Sequence, residues 1–308
     1  MNKEIKEIFD NGVNIFGEIL SKEKVGGIYQ KFINARKFGS NLFQSEEDYT
    51  QQNSHLKTNP TPTFNFLNQF TSDLRFVEEN PNIKDTITQL LGDDYVIVDK
   101  KLVCGVPDSW VPQWVKAKID GVNIACLGPF IKKKYRDITY FRGIDFHQDI
   151  IDWPKGSTDL EPSTFLTLYV YIHDVDTYDS PLHIIPKSHK LGATMFPHKL
   201  EKSSGNNWIY EDDDGNKIEC EALVLTGKAG YVGLWHNCTL HGTQRVKHES
   251  EKFRISLRYL IGKSNTNLQN TMIDEINFTI GGNLQPEKTR LDIDSLGKAI
   301  MKGNIINQ

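Results

Sequence analysis

The chain has 308 residues, 38% hydrophobic and 25% charged, with a formal net charge of −4. This composition supports a buried core and excludes the strongly basic footprint of a nucleic-acid binder. The longest apolar-leaning run, 165-FLTLYVYI-172, is far too short to cross a bilayer.

The first twenty residues mix acids with apolar residues and do not read as a signal peptide. Cys104, Cys126, Cys220 and Cys238 are scattered without a CxxC pair. They read as reduced thiols of a cytoplasmic protein, with neither a disulfide frame nor a zinc site. Residues 1–36 predict two short helices around 12-GVNIFGEILS-21, with Ser21 as an N-cap. Residues 40–63, with Pro60 and Pro62, predict a long loop. The stretch 73–92 predicts a helix interrupted near Pro81 and closed by Gly92.

The texture then changes to short β-rich runs at 94–105, 121–128, 138–149, 164–174, 182–186, 221–227, 230–237 and 253–262. Many short strands with irregular spacing predict a mainly β fold with helical additions, an antiparallel sandwich or barrel such as a jelly roll. The tail beyond 265 is polar, with a candidate helix over 292–303. One domain is expected, with a helical N-terminal region (1–93), a jelly-roll core (94–262) and a C-terminal extension (263–308).

Within 144-IDFHQDIIDWP-154, His147 and Asp149 stand two residues apart. Residues i and i+2 of a strand share a face, so both can point inward while Gln148 points away. The pair alone is a weak signal. A second segment, 230-GYVGLWHNCTLHGTQRVKHESEKFRISLRYLIG-262, reads as two strands around a polar turn at 247–252. Folded about its middle, it sets His241 opposite Arg254, about 5 Å apart as cross-strand partners. An inward arginine needs an anion. Two histidines and one carboxylate form a facial triad, which leaves positions open and suits Fe(II) in oxygen-using enzymes. Arg254 could then grip a carboxylate with both arms of its fork. That carboxylate would belong to 2-oxoglutarate, with Ser256 on the same face adding a hydroxyl.

The combination of HQD at 147–149, PLHIIPKSHKLG at 181–192, LHGT at 240–243 and FRIS at 253–256 resembles the phytanoyl-CoA dioxygenase family of Fe(II)/2-oxoglutarate oxygenases. The resemblance runs over most of residues 10–262 and implies a double-stranded β-helix, which is a jelly roll. It implies iron ligation by His147, Asp149 and His241. It also implies that Arg254 holds the 2-oxoglutarate carboxylate with Thr243 as a second donor and with Tyr169 and Thr167 beside the cosubstrate.

Two departures stand out. Asp179-Ser180 and Lys187 replace glycine-containing turns of the family, where a positive φ costs a side chain more. The spacing from His241 to Arg254 is one or two residues long, which leaves Arg258 as an alternative anion partner.

Other residues carry two readings each. His236 is an alternative third ligand or a core residue. His183 and His189 read as structural, and His173 and His248 as surface positions. Gln148, Asp152 and Trp153 are candidates for substrate contact, and Trp110 and Trp114 either line a mouth or fill the core. The run 132-KKKYR-136 would attract an anionic substrate or is a solvated loop.

The leading expectation is an iron enzyme using 2-oxoglutarate and O2 to hydroxylate a small molecule, with no nucleic-acid or membrane partner. Desaturation and epimerisation are alternatives. Halogenation is disfavoured by the intact Asp149. A metal-holding binding module would need a closed four-ligand site and would have no use for Arg254.

Overall fold

The computed structural model describes residues 2–51, 60–119, 127–152, 164–194, 198–243, 252–280 and 284, apart from the side chains of residues 151 and 152. The strand expected at 121–128, all but its last two residues, lies outside them, as do the helix at 292–303 and most of the 247–252 turn.

Helix α1 (Lys3–Asn11) starts at the Asn2 side chain, which accepts from Ile5 N, and buries Ile5 and Ile8. Gly12 ends it at φ 73°. A Cβ there would sit 2.4 Å from His189 Nδ1, so only glycine fits. The expected pair of helices is present, but the GVNIFGE segment between them is a strand, β1 (Val13–Glu18). Helix α2 (Lys22–Ala35) begins at Ser21, whose hydroxyl accepts from Lys24 N. The 40–63 region contains a short helix, α3 (Glu46–Thr50). The expected break at Pro81 separates α4 (Arg75–Glu78) from α5 (Pro81–Leu91).

The remaining elements follow in order. They are β2 (Val96–Gly105), α6 (Gln113–Ile119), β3 (Thr139–Phe141), β4 (Ile144–His147), β5 (Phe165–Tyr171) and β6 (Leu182–Ile184). Next come β7 (Lys199–Lys202), β8 (Asn207–Glu211), β9 (Lys217–Glu221), β10 (Leu223–Leu225), β11 (Tyr231–His236), β12 (His241–Thr243), β13 (Arg254–Gly262) and α7 (Met272–Thr279).

Six strands form one sheet in the order β1-β11-β5-β13-β2-β3, four form a second in the order β10-β6-β12-β4, and β7-β8-β9 form a third. All neighbours are antiparallel except the parallel β2–β3 pair. The arrangement is an open jelly roll: the first two sheets face each other and do not close into a barrel. Between them pack Val13, Tyr169, Tyr171 and Trp235 from the large sheet against Leu182, Ile184 and Leu225 from the small one.

β5 and β13 are buried at every position, because both of their faces are covered. Their outward residues, including Leu166, Leu168, Val170, Ile255 and Leu257, join Ile5, Phe32, Leu90 and Ile273 of the helical layer. Strand alternation therefore sends Thr167, Tyr169, Arg254, Ser256 and Arg258 towards the small sheet. On that sheet's far side, Phe146, Ile185 and Leu240 pack against Trp208 and Tyr210 of β8.

One sequence expectation is overturned. β12 and β13 do not form a hairpin. β12 pairs with β4 and β6, and β13 with β2 and β5. His241 is the cross-strand partner of His147, and Arg254 that of Gly105. The chain changes sheets between the two strands, so His241 and Arg254 reach a common space from opposite walls.

Ser180 and Lys187, the residues in place of the expected glycines, have φ 59° and 66°. The turns keep the left-handed backbone without glycine, a strained conformation for a side chain. Among the described residues no helix is long and apolar enough to cross a membrane.

Candidate iron and 2-oxoglutarate site

His147 is the last residue of β4 and Asp149 the first of a 3-10 turn (Asp149–Asp152). The pair therefore straddles a strand end, where the sequence pattern placed both within one strand. Antiparallel pairing of β4 with β12 then sets His147 beside His241, with ring centroids 4.4 Å apart. One donor atom from each of His147, Asp149 and His241 lies within 4.8 Å of the others.

Each imidazole is oriented from behind. His147 Nδ1–H donates to Asp145 O, and His241 Nδ1–H to Thr239 O, both at 2.9 Å. This fixes the tautomer that turns a bare Nε2 towards the centre, the arrangement typical of metal-ligating histidines. Burial pulls the His241 imidazole down to about 4, with His147 and Arg258 adding to the effect against Asp149. The ring is therefore neutral and able to ligate at neutral pH.

Asp149 is 2% exposed and holds three donors. Arg258 Nη2 reaches Oδ1 at 2.6 Å, Thr167 Oγ1 reaches Oδ2 at 2.6 Å, and Trp235 Nε1 reaches Oδ2 at 3.3 Å. Burial works against its charge, but Arg258, the two histidines and Thr167 keep the carboxyl below the usual carboxylate range.

The opposite wall is different in kind. Arg254 is 1% exposed, and its Nε, Nη1 and Nη2 have no hydrogen-bond partner among the described residues. The faces of Tyr169 and Tyr171 lie 5.7 and 5.9 Å from its Cζ. Arg254 opens onto the cavity lined by the His-Asp-His cluster, Tyr169, Trp235, Thr243 and Arg258. Thr243 Oγ1 accepts from Ile144 N at 3.2 Å, which leaves its proton free to donate.

Several expectations need correction. Thr167 points at Asp149 and does not line the cavity, so its hydroxyl serves the carboxylate and not a cosubstrate. Ser256 lies between Arg254 and Arg258 on their face, fully buried, and does not reach the cavity wall. Gln148 faces away. Its amide donates to Gly192 O and Cys238 O and accepts from Thr194 N, so it ties loops together and is no substrate contact. The Asp152 side chain, Trp153 and His248 lie outside the described residues.

His236 is buried between Asn277 and Cys238 N and takes no part in the cluster. His173 is half-buried, not a surface residue, and accepts from Ile255 N. Trp110 and Trp114 pack in the core against Phe253, Tyr49 and Phe130. None of the 132–136 run lines the cavity: Lys132 donates to Asn41 O, and Arg136 is buried against Ile131 O and Pro129 O.

Lys101 was not anticipated. It lines the cavity beside Arg258, its neighbour on the adjacent strand, with Asp99 3.6 Å away. Its sequence setting, DKK in β2, looks like a solvated strand face.

A family model described as phytanoyl-CoA dioxygenase (PhyH) matches residues 34–256, nearly three quarters of the chain and all four signature motifs. The chain belongs to the phytanoyl-CoA dioxygenase family. It is an iron- and 2-oxoglutarate-dependent oxygenase of that family, and the donor set fits both cofactors. Two bare Nε2 atoms and a carboxylate suit Fe(II), and an orphaned buried guanidinium suits a dicarboxylate.

Among solved structures, the chain is similar to the 2-oxoglutarate-dependent epimerase SnoN from nogalamycin biosynthesis. They share 11% identity over 85% of this chain and 80% of that one, with a TM-score of 0.51. It is also similar to EctD from S. alaskensis, at 14% identity over 88% and 80% with a TM-score of 0.48. At these identities the likeness to SnoN speaks for the fold. No curated protein matches.

Proposed function

We propose that this oxygenase hydroxylates an unactivated C–H bond of a small-molecule substrate, holding iron through His147, Asp149 and His241. The observation that carries the reading is Arg254, a buried guanidinium without a hydrogen-bond partner among the described residues, on the wall facing the three ligands. A charge buried that way is costly unless a ligand anion arrives. The distal carboxylate of 2-oxoglutarate meets the need through a two-pronged contact, with Thr243 donating to the same group and Tyr169 flanking it.

When bound, iron with 2-oxoglutarate and O2 supplies the oxidising power: R–H, O2 and 2-oxoglutarate give R–OH, succinate and CO2. The chain's own residues do the rest. Thr167, Trp235 and Arg258 hold the carboxylate ligand, the backbone carbonyls of Asp145 and Thr239 hold the imidazoles, and Tyr169 and Trp235 wall the space against water. Asp149 is intact, and this argues against halide occupying a carboxylate position. SnoN is described as an epimerase, so the outcome is tested by following the oxygen.

The experiment supplies Fe(II), 2-oxoglutarate and 18O2 with a panel of small-molecule acids and neutral scaffolds. It reads succinate release and product mass. Incorporation of one 18O into the product for each succinate released supports hydroxylation. Coupled succinate with no oxygen gained by the product replaces it with epimerisation or desaturation. Absence of both 2-oxoglutarate binding and succinate formation overturns the reading.

A further inference from the structure

Arg258 is not used by the cosubstrate reading, yet it is a buried charge on the cavity wall. It comes from β13, the strand that carries Arg254, while the carboxylate it grips follows β4 of the other sheet. The side chains of the pair are 9% and 2% exposed. Arg258 Nη2 lies 2.6 Å from Asp149 Oδ1, and Thr167 and Trp235 approach Oδ2. Asp149 Oδ2 in turn lies 3.5 Å from His241 Nε2, on the side of the imidazoles.

The two carboxylate oxygens therefore have different surroundings. Oδ1 faces a cation across the cavity, and Oδ2 faces the metal ligands. A carboxylate can bind a metal through one oxygen or through both. In a six-position shell, chelation by both would fill four positions with protein atoms. Only two would remain, too few for a two-toothed keto acid and O2 together.

We propose that Arg258 is a positioning residue that reserves Oδ1 and so holds Asp149 to single-oxygen metal binding, keeping three positions open. This rests on the reading that His147, Asp149 and His241 hold the metal. A free hydroxyl or water on Oδ1 would leave the choice of mode open. A buried guanidinium makes chelation cost the ion pair, and losing a partner inside a buried pair is strongly destabilising.

The test uses Co(II), whose visible absorption reports coordination number, together with calorimetric titration of the purified chain. Wild type is expected to bind one Co(II), and His241→Ala to lose it. If His241→Ala binds Co(II) as wild type does, the underlying ligand reading fails, independently of Arg258. With that control passed, Arg258→Gln is expected to change Co(II) affinity by about 10- to 100-fold and to show the altered visible spectrum of a metal with a second carboxylate oxygen in reach. Arg258→Lys, which keeps the cation, should recover most of both. At saturating Co(II), Arg258→Gln should change 2-oxoglutarate affinity far less than Arg254→Gln does. Unchanged metal affinity and spectrum in folded Arg258→Gln overturns the proposal. A loss of 2-oxoglutarate affinity matching that of Arg254→Gln also overturns it, by making Arg258 the cosubstrate anchor.

A measurement on the wild-type chain serves should the variants not fold. In protein labelled with 13C at the aspartate carboxyls, the metal-induced infrared difference spectrum should show the widely separated stretches of single-oxygen binding. The narrow separation of a chelating carboxylate would sink the idea.

Discussion

The two walls of the cavity are built on opposite principles. On the small-sheet wall the metal-binding side chains are held from behind: both Nδ1 atoms have carbonyls, and Asp149 has three donors. On the large-sheet wall Arg254 is as deeply buried and has no hydrogen-bond partner among the described residues. The first wall is preorganised and balanced before any ligand binds. The second is left unbalanced, so the energy of pairing Arg254 is released only when an anion enters. Metal-binding groups and anion-binding groups thus line one cavity with contrary effects on the stability of the ligand-free protein.

The largest break in that comparison comes from the balanced wall. His147→Ala or His241→Ala should abolish metal binding, an effect beyond the roughly 10- to 100-fold typical of losing an outer partner. Asp149→Ala should do the same and also unfold the protein more easily, by roughly 3–5 kcal/mol, because the buried Arg258 loses its carboxylate partner. Metal titration and urea denaturation of the three variants check both parts. Equal stability of Asp149→Ala and wild type would deny that the wall is balanced.

Arg254→Met tests the other wall and should act in the reverse sense. Losing the charged two-pronged contact should weaken 2-oxoglutarate binding by roughly 2–4 kcal/mol, about 30- to 1000-fold. Metal affinity should hold. Without ligand, the variant should be at least as stable as wild type, since a buried unpaired charge has been replaced by an apolar side chain. A destabilised ligand-free Arg254→Met protein would mean that the guanidinium is already satisfied.

How far the sequence announced this arrangement can be read residue by residue. The runs at 164–174 and 253–262 were legible as strands because burial on both faces makes them long and apolar. The His147/Asp149 pair and the distant His241 were legible from residue type and spacing. Strands β7 to β9 were not anticipated, although 207-NWIYEDDDGNKIECE-221 carries the needed signal. Trp208 and Tyr210 alternate with Asn207, Ile209 and Glu211, and a turn rich in Asp and Gly follows. The charge of that hairpin masks it as a loop. α7 was missed too, although its capping box, Thr271 with Asp274, stands in the sequence.

The Arg258–Asp149 pair could not be read at all. It joins two sheets, and strand periodicity gives the face a residue points to without giving what meets it there. The same gap produced the false hairpin, because a chain that crosses between sheets looks in sequence like one that turns back on itself.

A smaller effect concerns pH. Burial holds the imidazoles of His236 and His241 down at about 4, and those of His189 and His198 at about 3, against an ordinary value of 6.5. Neighbouring histidines add to the lowering in the last three. The unfolded chain takes up these protons first. Stability is therefore full above about pH 6.5 and falls as pH drops towards 4, each group contributing up to about 1.4 kcal/mol per pH unit. Denaturation of metal-free protein between pH 8 and 5 should show the slope. Saturating metal should keep the share of His241 and extend it below pH 4, since a ligating nitrogen cannot take a proton while the unfolded chain still can. A flat profile would mean that these histidines are protonated, or equally exposed, in the folded state.

The smallest expected effect lies in the turns that carry a positive φ without glycine. Lys187 N donates to Asn11 O and opens the turn that carries His189. His189 Nε2–H in turn reaches Phe9 O, so this turn pins α1 to the small-sheet side of the molecule. Lys187 holds φ 66° there at a steric cost that glycine would avoid. Glycine also loses more freedom on folding, which offsets part of the gain. Lys187→Gly should stabilise the chain by about 0.5–1 kcal/mol, with metal and 2-oxoglutarate binding unchanged because residue 187 is absent from the cavity wall. The urea midpoint of this variant decides it. A lower midpoint would show that the lysine side chain contributes contacts outweighing the strain, and that the left-handed turn is maintained at no net cost.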